Sequence, residues 1–212
     1  MMIASYNPTQ MGDVLIIVLG EGSDPQSVSE SDNVVQIKDK DGKVVGYNIF
    51  DASEVLNDLK SKNGQVELST ADVKKLNNKL NQAGFKEKLP FKSDPKFIVG
   101  YVEKMEDHPK SDHLHVTQTR VQNDKVLQLV SGSPNMQQGI KVVVAEVGAM
   151  MPNGQIIWPG ELRGVESDGM ICSGRELRIP NAPDRPGALI LPDSYQVGEP
   201  FDFEKAKNLF NE

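Results

Sequence analysis

The first half of the chain alternates apolar and polar residues in short runs that are typical of strands. Residues 14–19 form an apolar, β-branched run suited to a buried strand. Two further runs, 33–38 and 44–50, flank Asp41-Gly42, a dipeptide that favours a tight hairpin turn. The pattern therefore predicts a small antiparallel sheet.

Two helices are predicted to follow this sheet. Asp51 with Glu54 three residues later resembles a capping box, and Ser69 with Asp72 repeats the signal. The second helix carries one apolar stripe, at Val73, Leu76, Leu80 and Ala83. Gly84 supplies its C-terminal stop. Residues 1–90 are thus predicted to form a small α+β domain, whose role the pattern does not indicate.

The second half contains short apolar or alternating runs between Pro and Gly turns and no long helical period. The predicted strands are 97–102, 114–121, 126–130, 140–147 and 188–191. About five short strands favour a small all-β barrel, because closure protects their edges, and the five-stranded OB-fold is the simplest choice. We predict a linker at 91–96, because residues 89–96 (LPFKSDPK) combine two prolines with polar residues. An OB-fold domain at 97–203 and a C-terminal tail at 204–212 are predicted to follow.

Charge and composition limit the classes of function. The 212 residues include 23 Lys and Arg against 30 Asp and Glu, giving a net charge of -7 that both halves share. An indiscriminate nucleic-acid coat would instead present a strongly basic face. Cys172 is the single cysteine, so no intramolecular disulfide is possible, and we interpret it as a small buried hydrophobe. No signal peptide or long apolar segment is visible, and we expect a cytoplasmic protein without a membrane partner.

Three histidines lie close together in the second half. His108, His113 and His115 fall within eight residues, and His113 and His115 would share one face of a strand, as in some metal sites. Asp112 is the one carboxylate placed to complete such a set. A metallohydrolase is the least supported alternative, and we predict neither a metal nor a cofactor.

Three ordered motifs give the second half a family resemblance. They are residues 108–114 (HPKSDHL), 130–135 (VSGSPN) and 162–173 (LRGVESDGMICS), the last followed by Glu176-Leu177. Together they resemble the tRNA-binding OB domain that occurs in phenylalanyl-tRNA synthetase β subunits, in many methionyl-tRNA synthetases and as free-standing proteins. The arrangement of a small α+β domain ahead of the barrel is similar to that of the YtpR-type tRNA-binding proteins.

The resemblance implies a domain that grips the outside of folded tRNA through shape and backbone. The tRNA-binding residues proposed on this basis are Lys110, Ser133, Asn135, Arg163, Ser167, Met170, Ser173 and Arg175. Glycine and hydroxyl-rich loops can offer backbone N–H groups and hydroxyls to phosphates and 2′-OH groups. Trp158 is a candidate for base stacking, although packing over the barrel mouth is the simpler interpretation.

Each of these residues also has an ordinary structural interpretation. Asn135 could satisfy its own turn, and Arg163 could form a surface salt bridge to Glu161 or Glu166. Met170 could fill a core, while Lys110 and Arg175 could be solvated charges.

The sequence departs from the family pattern at two places. Ser131 stands where many relatives have cysteine, which changes packing more than chemistry. The segment 181–186 (NAPDRP) is unusually proline-rich, which leaves open how the barrel ends and whether the dimer contact of free-standing relatives exists.

The function that the sequence favours is non-catalytic binding of structured tRNA, as an accessory or chaperone acting in trans. The chain lacks the HIGH-like and KMSKS-like motifs of adenylate chemistry, so we predict that it is not an enzyme. The alternative is a protein-interaction scaffold that keeps the OB-fold with little tRNA affinity, which the net charge favours. A second copy of the chain and an aminoacyl-tRNA synthetase are the candidate protein partners.

Overall fold

The chain folds into two compact units. The computed structural model describes residues 1–91 and 94–211, and its contacts divide the chain into Met1–Asp94 and Pro95–Glu212. The division falls inside the segment 91–96 that we predicted as a linker, of which residues 92 and 93 lie outside the described residues. None of the helices in the described ranges combines the length and the apolar character that crossing a membrane requires.

The first unit is a six-stranded sheet with one long helix. Its elements are β1 (Ile3–Tyr6), α1 (Pro8–Met11), β2 (Val14–Val18), β3 (Ser27–Ser31), β4 (Val34–Lys38), β5 (Val44–Phe50), α2 (Ala52–Val55), a 3₁₀ turn (Asn57–Ser61), β6 (Gly64–Gln65) and α3 (Thr70–Gln82). The strand order is β3-β4-β5-β2-β1-β6, and the pairs are antiparallel. The predicted hairpin is β4 and β5, with Gly42 at φ +79° in its turn.

The helix α3 begins and ends where the sequence indicates. The Ser69 hydroxyl accepts a hydrogen bond from the Asp72 backbone N–H at 3.2 Å, and the Asp72 carboxylate accepts from the Ser69 N–H at 3.0 Å. This capping box is therefore confirmed, and Gly84 adopts φ +88° just beyond the helix. The core between sheet and helix includes Leu15, Ile17, Tyr47, Ile49, Val73, Leu76 and Leu80.

The predicted capping box at Asp51 is wrong. Asp51 lies in the left-handed region (φ 50°, ψ 37°) instead of the extended conformation of a capping residue, and its side chain caps no helical N–H. Its carboxylate instead accepts a hydrogen bond from the Asn33 side-chain amide at 2.7 Å. The helix that follows, α2, has four residues.

The second unit is an antiparallel barrel, which confirms the predicted OB-fold. Its elements are β7 (Phe97–Asp107), β8 (His115–Arg120), a 3₁₀ turn (Gln122–Asp124), β9 (Val126–Ser131), β10 (Lys141–Glu146), β11 (Gly160–Leu162), β12 (Val165–Ser167), β13 (Gly169–Ile171), β14 (Ile190–Leu191) and α4 (Phe203–Ala206). The main sheet runs β13-β10-β7-β8-β9. The Asp168 N–H donates to the Gln128 carbonyl at 2.9 Å, which brings the two edges together and nearly closes the barrel.

The fifth strand of the barrel differs from our prediction. We predicted it at 188–191, but there the structure has only the short strand β14, which pairs with β10 beside the main sheet. The fifth strand is β13, which pairs with the opposite end of β10 through Gly169 and Glu146. A side chain at Gly169 would place its Cβ 2.7 Å from the Ala145 carbonyl oxygen, so this strand needs glycine. The strand β13 has three residues and begins with glycine, so its sequence shows no alternation of apolar and polar residues from which a strand could be predicted.

Candidate nucleic-acid interface

Several loops meet at one end of the barrel. The loop 108–114 joins β7 to β8, and residues 131–135 follow β9 at the same end because neighbouring strands are antiparallel. The turn 162–164 joins β11 to β12 and reaches the first loop. We call residues 108–114, 131–135 and 162–164 the loop end; these connections and the β8–β9 face are what OB-folds use to hold oligonucleotides.

His108 fastens two of these loops together. Its side chain is buried, at 3 % exposure. The Nδ1 atom accepts a hydrogen bond from the Lys110 backbone N–H at 3.1 Å, and Nε2 lies 2.9 Å from the Leu162 carbonyl oxygen. An imidazole whose Nδ1 accepts must carry its proton on Nε2, so His108 donates to Leu162 as a neutral ring.

Lys110 and Arg163 are the two cations that the loop end brings together. The Arg163 Nη1 donates to the Lys110 carbonyl at 3.1 Å, and a Cβ at Gly164 would lie 3.0 Å from the Lys110 Nζ. Arg163 and Gly164 have φ of +49° and +83°, as a tight turn between two strands requires. Within residues 1–91 and 94–211, neither cation forms an ion pair, so the predicted alternative of a salt bridge from Arg163 to Glu161 or Glu166 is not observed.

Asp112 is the carboxylate that lies within the loop end. It is fully solvent-exposed, and its oxygen lies 2.9 Å from His113 Nδ1. The hydrogen bond with His113 lowers the pKa of Asp112, with a smaller contribution from the charge of Arg163. Asp112 therefore carries a negative charge that interacts with Arg163.

The loop that follows β9 holds two predicted residues in different ways. Ser133 is half-buried, and its N–H donates to the Ser131 hydroxyl at 3.3 Å. The Asn135 amide donates to the Ala188 carbonyl at 2.9 Å and accepts from the Ala188 N–H at 2.7 Å. Asn135 thus joins this loop to the segment before β14 and does not merely satisfy its own turn.

Two of the predicted serines are buried and have partners inside the protein. The Ser167 hydroxyl accepts from the Val130 N–H and donates to the Gly169 carbonyl, both at 3.0 Å, where the barrel closes. The Ser173 hydroxyl donates to the Glu176 carboxylate at 2.7 Å, and the carboxylate also accepts the Ser173 N–H. Both hydroxyls therefore shape the backbone beneath the surface.

Met170 and Arg175 lie in and after β13. Met170 is half-buried and packs against the apolar cluster that contains Cys172 and Leu177. The exposed Arg175 guanidinium pairs with the Asp184 carboxylate at 3.2 Å. Of the eight predicted residues, the structure thus brings Lys110 and Arg163 into direct contact, whereas the others lie in the loop after β9, in β12, and in and after β13.

The three histidines do not converge. His108 points to Leu162, the exposed His113 bonds to Asp112, and His115 Nδ1 lies 3.3 Å from the Asp107 carboxylate without hydrogen-bond geometry. Across the part of the chain that the structure describes, no group of three or more His, Cys, Asp or Glu side chains is arranged to hold a metal.

The remaining candidates from the sequence are Trp158 and Cys172. Trp158 is half-buried. Cys172 is fully buried, as predicted, and burial raises the pKa of its thiol to about 12.

A cleft of about 370 Å³ lies at the opposite end of the barrel and was not predicted. Lys96, Lys125, Glu146 and Asp168 line it together with three apolar residues. Lys96 and Glu146 are 3.9 Å apart. Both signs of charge are present in this cleft and Lys96 is paired with Glu146, whereas Lys110 and Arg163 at the loop end form no ion pair within the described residues.

Comparisons with known proteins agree with this geometry. Residues 97–200 match the family described as "Putative tRNA binding domain", and residues 21–92 match "Domain of unknown function (DUF4479)". The second unit is therefore a tRNA-binding-type OB domain. The chain is 45 % identical over 204 residues to "Putative tRNA-binding protein YtpR" of Bacillus subtilis, which covers 95 % of this chain and 100 % of that protein. The chain belongs to the YtpR family.

Synthetase subunits match about half of this chain. The phenylalanine–tRNA ligase beta subunit of Porphyromonas gingivalis is 44 % identical over 106 residues, which is 49 % of this chain and 13 % of that subunit. The corresponding subunit of Cupriavidus pinatubonensis is 43 % identical over 110 residues, with the same coverage. The chain thus spans about an eighth of these subunits.

Proposed function

We propose that this protein binds folded tRNA at the loop end, without chemical conversion, as an accessory or chaperone that acts in trans. The observation that carries the proposal is the contact between Lys110 and Arg163, two cations without a carboxylate partner among the described residues. Phosphates of a polyanion are the natural counter-charge for such a pair. The family membership of the chain identifies tRNA as the polyanion to test.

Recognition would depend on the folded shape and the sugar-phosphate backbone of the tRNA. Lys110 and Arg163 would anchor phosphates, while Ser133 and Met170 offer partly exposed polar and apolar surface elsewhere on the barrel. Asn135, Ser167 and Ser173 would act by holding the loops in place, since their side chains bond within the protein. Arg175 would have to exchange Asp184 for a phosphate.

We also propose that the protein is not an enzyme. Its single thiol is buried and its pKa is raised to about 12, so it supplies no nucleophilic thiolate at neutral pH. The three histidines lie in separate surroundings, so they do not combine into one catalytic group. The groups at the loop end are suited to binding.

An aminoacyl-tRNA synthetase is the protein partner that we propose to test first, in the cytoplasm. The second unit is similar to a segment of synthetase beta subunits, so the two could present tRNA in the same orientation. A homodimer remains a second proposal. Sedimentation of the chain alone, with tRNA, and with a synthetase distinguishes these assemblies.

The binding proposal is tested by competition gel shifts with intact tRNA, a tRNA minihelix and unstructured RNA of equal length. We expect intact tRNA to compete best. Lys110→Ala and Arg163→Ala should each weaken binding about tenfold and reduce the salt slope by about one. Asp112→Asn should strengthen binding, because it removes a negative charge that interacts with Arg163.

The matched control is Lys125→Ala, which removes an exposed lysine at the opposite end of the barrel. This variant should bind tRNA nearly as the unmodified protein does. Equal affinity for tRNA and unstructured RNA would refute recognition of the fold. A protein partner captured after nuclease treatment, with no tRNA binding at low salt, would favour the scaffold alternative instead.

A further inference from the structure

We infer that His108 is the positioning residue of the tRNA site, which holds Lys110 and Arg163 in the geometry that binds phosphate. This inference rests on the proposed function of the loop end. The imidazole is buried, so it acts on the ligand through the two cations. Neither the family description nor the relatives' names assign it a role.

The two hydrogen bonds of His108 belong to a closed ring of contacts that includes Lys110 and Arg163. Nδ1 accepts the Lys110 N–H, and Nε2–H donates to the carbonyl of Leu162, the residue directly before Arg163. The Arg163 guanidinium then donates back to the Lys110 carbonyl at 3.1 Å. Removing the imidazole therefore releases the backbone on both sides of this contact.

The hairpin that carries Arg163 needs such an anchor. The strands β11 and β12 have three residues each and pair only with one another, and an isolated two-stranded hairpin is marginally stable. Its other attachments lie at the far end from the turn, where the Gln128 Nε2 donates to the Glu166 carbonyl at 2.9 Å and the Ser167 hydroxyl accepts the Val130 N–H at 3.0 Å. Without His108, the turn itself would be held among the described residues by the bond from Arg163 to Lys110, with the attachments at Glu166 and Ser167 several residues away.

The inference predicts energetic coupling between His108 and each cation. In the unmodified protein, Lys110→Ala and Arg163→Ala should each cost about tenfold in tRNA affinity. In a His108→Ala background, affinity should already be reduced about tenfold or more, and each added substitution should cost less than about twofold. Binding titrations at several salt concentrations give these affinities and the salt slope.

Two conservative variants test the two hydrogen bonds of His108 separately. Glutamine places its amide N–H where Nε2 lies, so His108→Gln should retain the bond to Leu162 and the effect of Arg163→Ala. Asparagine places its oxygen where Nδ1 lies, so His108→Asn should retain the bond to Lys110 and the effect of Lys110→Ala. A His108 that only stabilises the fold would give no such split between the two variants.

The control is Lys125→Ala, at the opposite end of the barrel, which should leave affinity and salt slope nearly unchanged in the unmodified and the His108→Ala backgrounds. Thermal melting identifies variants that fail to fold, in which case the glutamine and asparagine variants carry the test. Nitrogen NMR should find the Nε2–H tautomer, and an Nδ1–H tautomer would overturn the inference. If the two cation variants weaken binding in every background, only the positioning role fails. If they have no effect in the unmodified protein, the proposed function itself fails.

Discussion

At the scale of single residues, the sequence indicated polar groups in the right motifs but not their partners. Asn135 was predicted as a tRNA-binding residue, and although it is exposed its amide bonds to Ala188, 53 residues away. Buried or partly buried polar groups must be satisfied somewhere, and the tertiary fold decides where. The same reason explains why His108 was recognisable as a motif residue, while its bond to Leu162 was not predicted.

A carboxylate in place of Asn135 should therefore destabilise the second unit. Asn135→Asp keeps the oxygen that accepts the Ala188 N–H but loses the donor, and it places negative charge against the Ala188 carbonyl. We expect a loss of about 1–3 kcal/mol in the free energy of unfolding, measured by urea denaturation. Asn153→Asp makes the same charge change where the side chain only accepts, from the Gln155 N–H, and should be tolerated. Equal stability of the two variants would contradict the assigned bonds.

At the scale of elements, strong local signals predicted the structure and weak ones did not. The capping box at Ser69 and the hairpin around Gly42 are complete within a few residues, so the sequence specifies them. The strand β13 depends on contacts with β10 and on closure against Gln128, which no short window contains. Asp51 carried a capping signal, yet Asn33 holds its side chain elsewhere.

The two capping signals should consequently respond differently to mutation. Ser69→Ala removes an observed cap of α3 and should lower the free energy of unfolding by about 1 kcal/mol. Asp51→Gly should change it by less than about 0.5 kcal/mol, because glycine adopts the observed φ of 50° without strain and this offsets the lost bond to Asn33. Urea denaturation checks both variants. A loss at Asp51 as large as that at Ser69 would show that its side chain does support α2.

At the scale of the whole molecule, the net charge of -7 and a site for a polyanion are compatible. The chain carries 30 acidic residues against 23 basic ones, and both halves share the excess. Its field repels every nucleic acid to a similar degree at long range. Selectivity must then come from short-range contacts at the loop end, where Lys110 and Arg163 have no carboxylate partner within the described residues. The composition predicts the long-range repulsion, whereas the pairing of Lys110 with Arg163 at the loop end depends on the fold.

This division predicts that charge outside the loop end sets affinity but not selectivity. Glu21, Glu30 and Glu67 are exposed residues of the first unit, and replacing all three by Gln changes the net charge from -7 to -4. At ~0.1 M salt, where the Debye length is about 10 Å, we expect tRNA and unstructured RNA both to gain roughly twofold to threefold in affinity. The gain should disappear as salt rises, and the ratio of the two affinities should stay constant, because these substitutions leave the contacts at the loop end unchanged.

The matched opposite change is Lys62→Gln, Lys74→Gln and Lys75→Gln, which makes the net charge -10 and should weaken both RNAs to a similar extent. Titrations of the two triple variants against both RNAs give the ratio directly. If either set of substitutions altered the ratio as strongly as Arg163→Ala does, the first unit would have to contact RNA itself. If the ratio of the two affinities is unchanged in both triple variants but falls in the Arg163→Ala variant, selectivity is assigned to the loop end of the barrel.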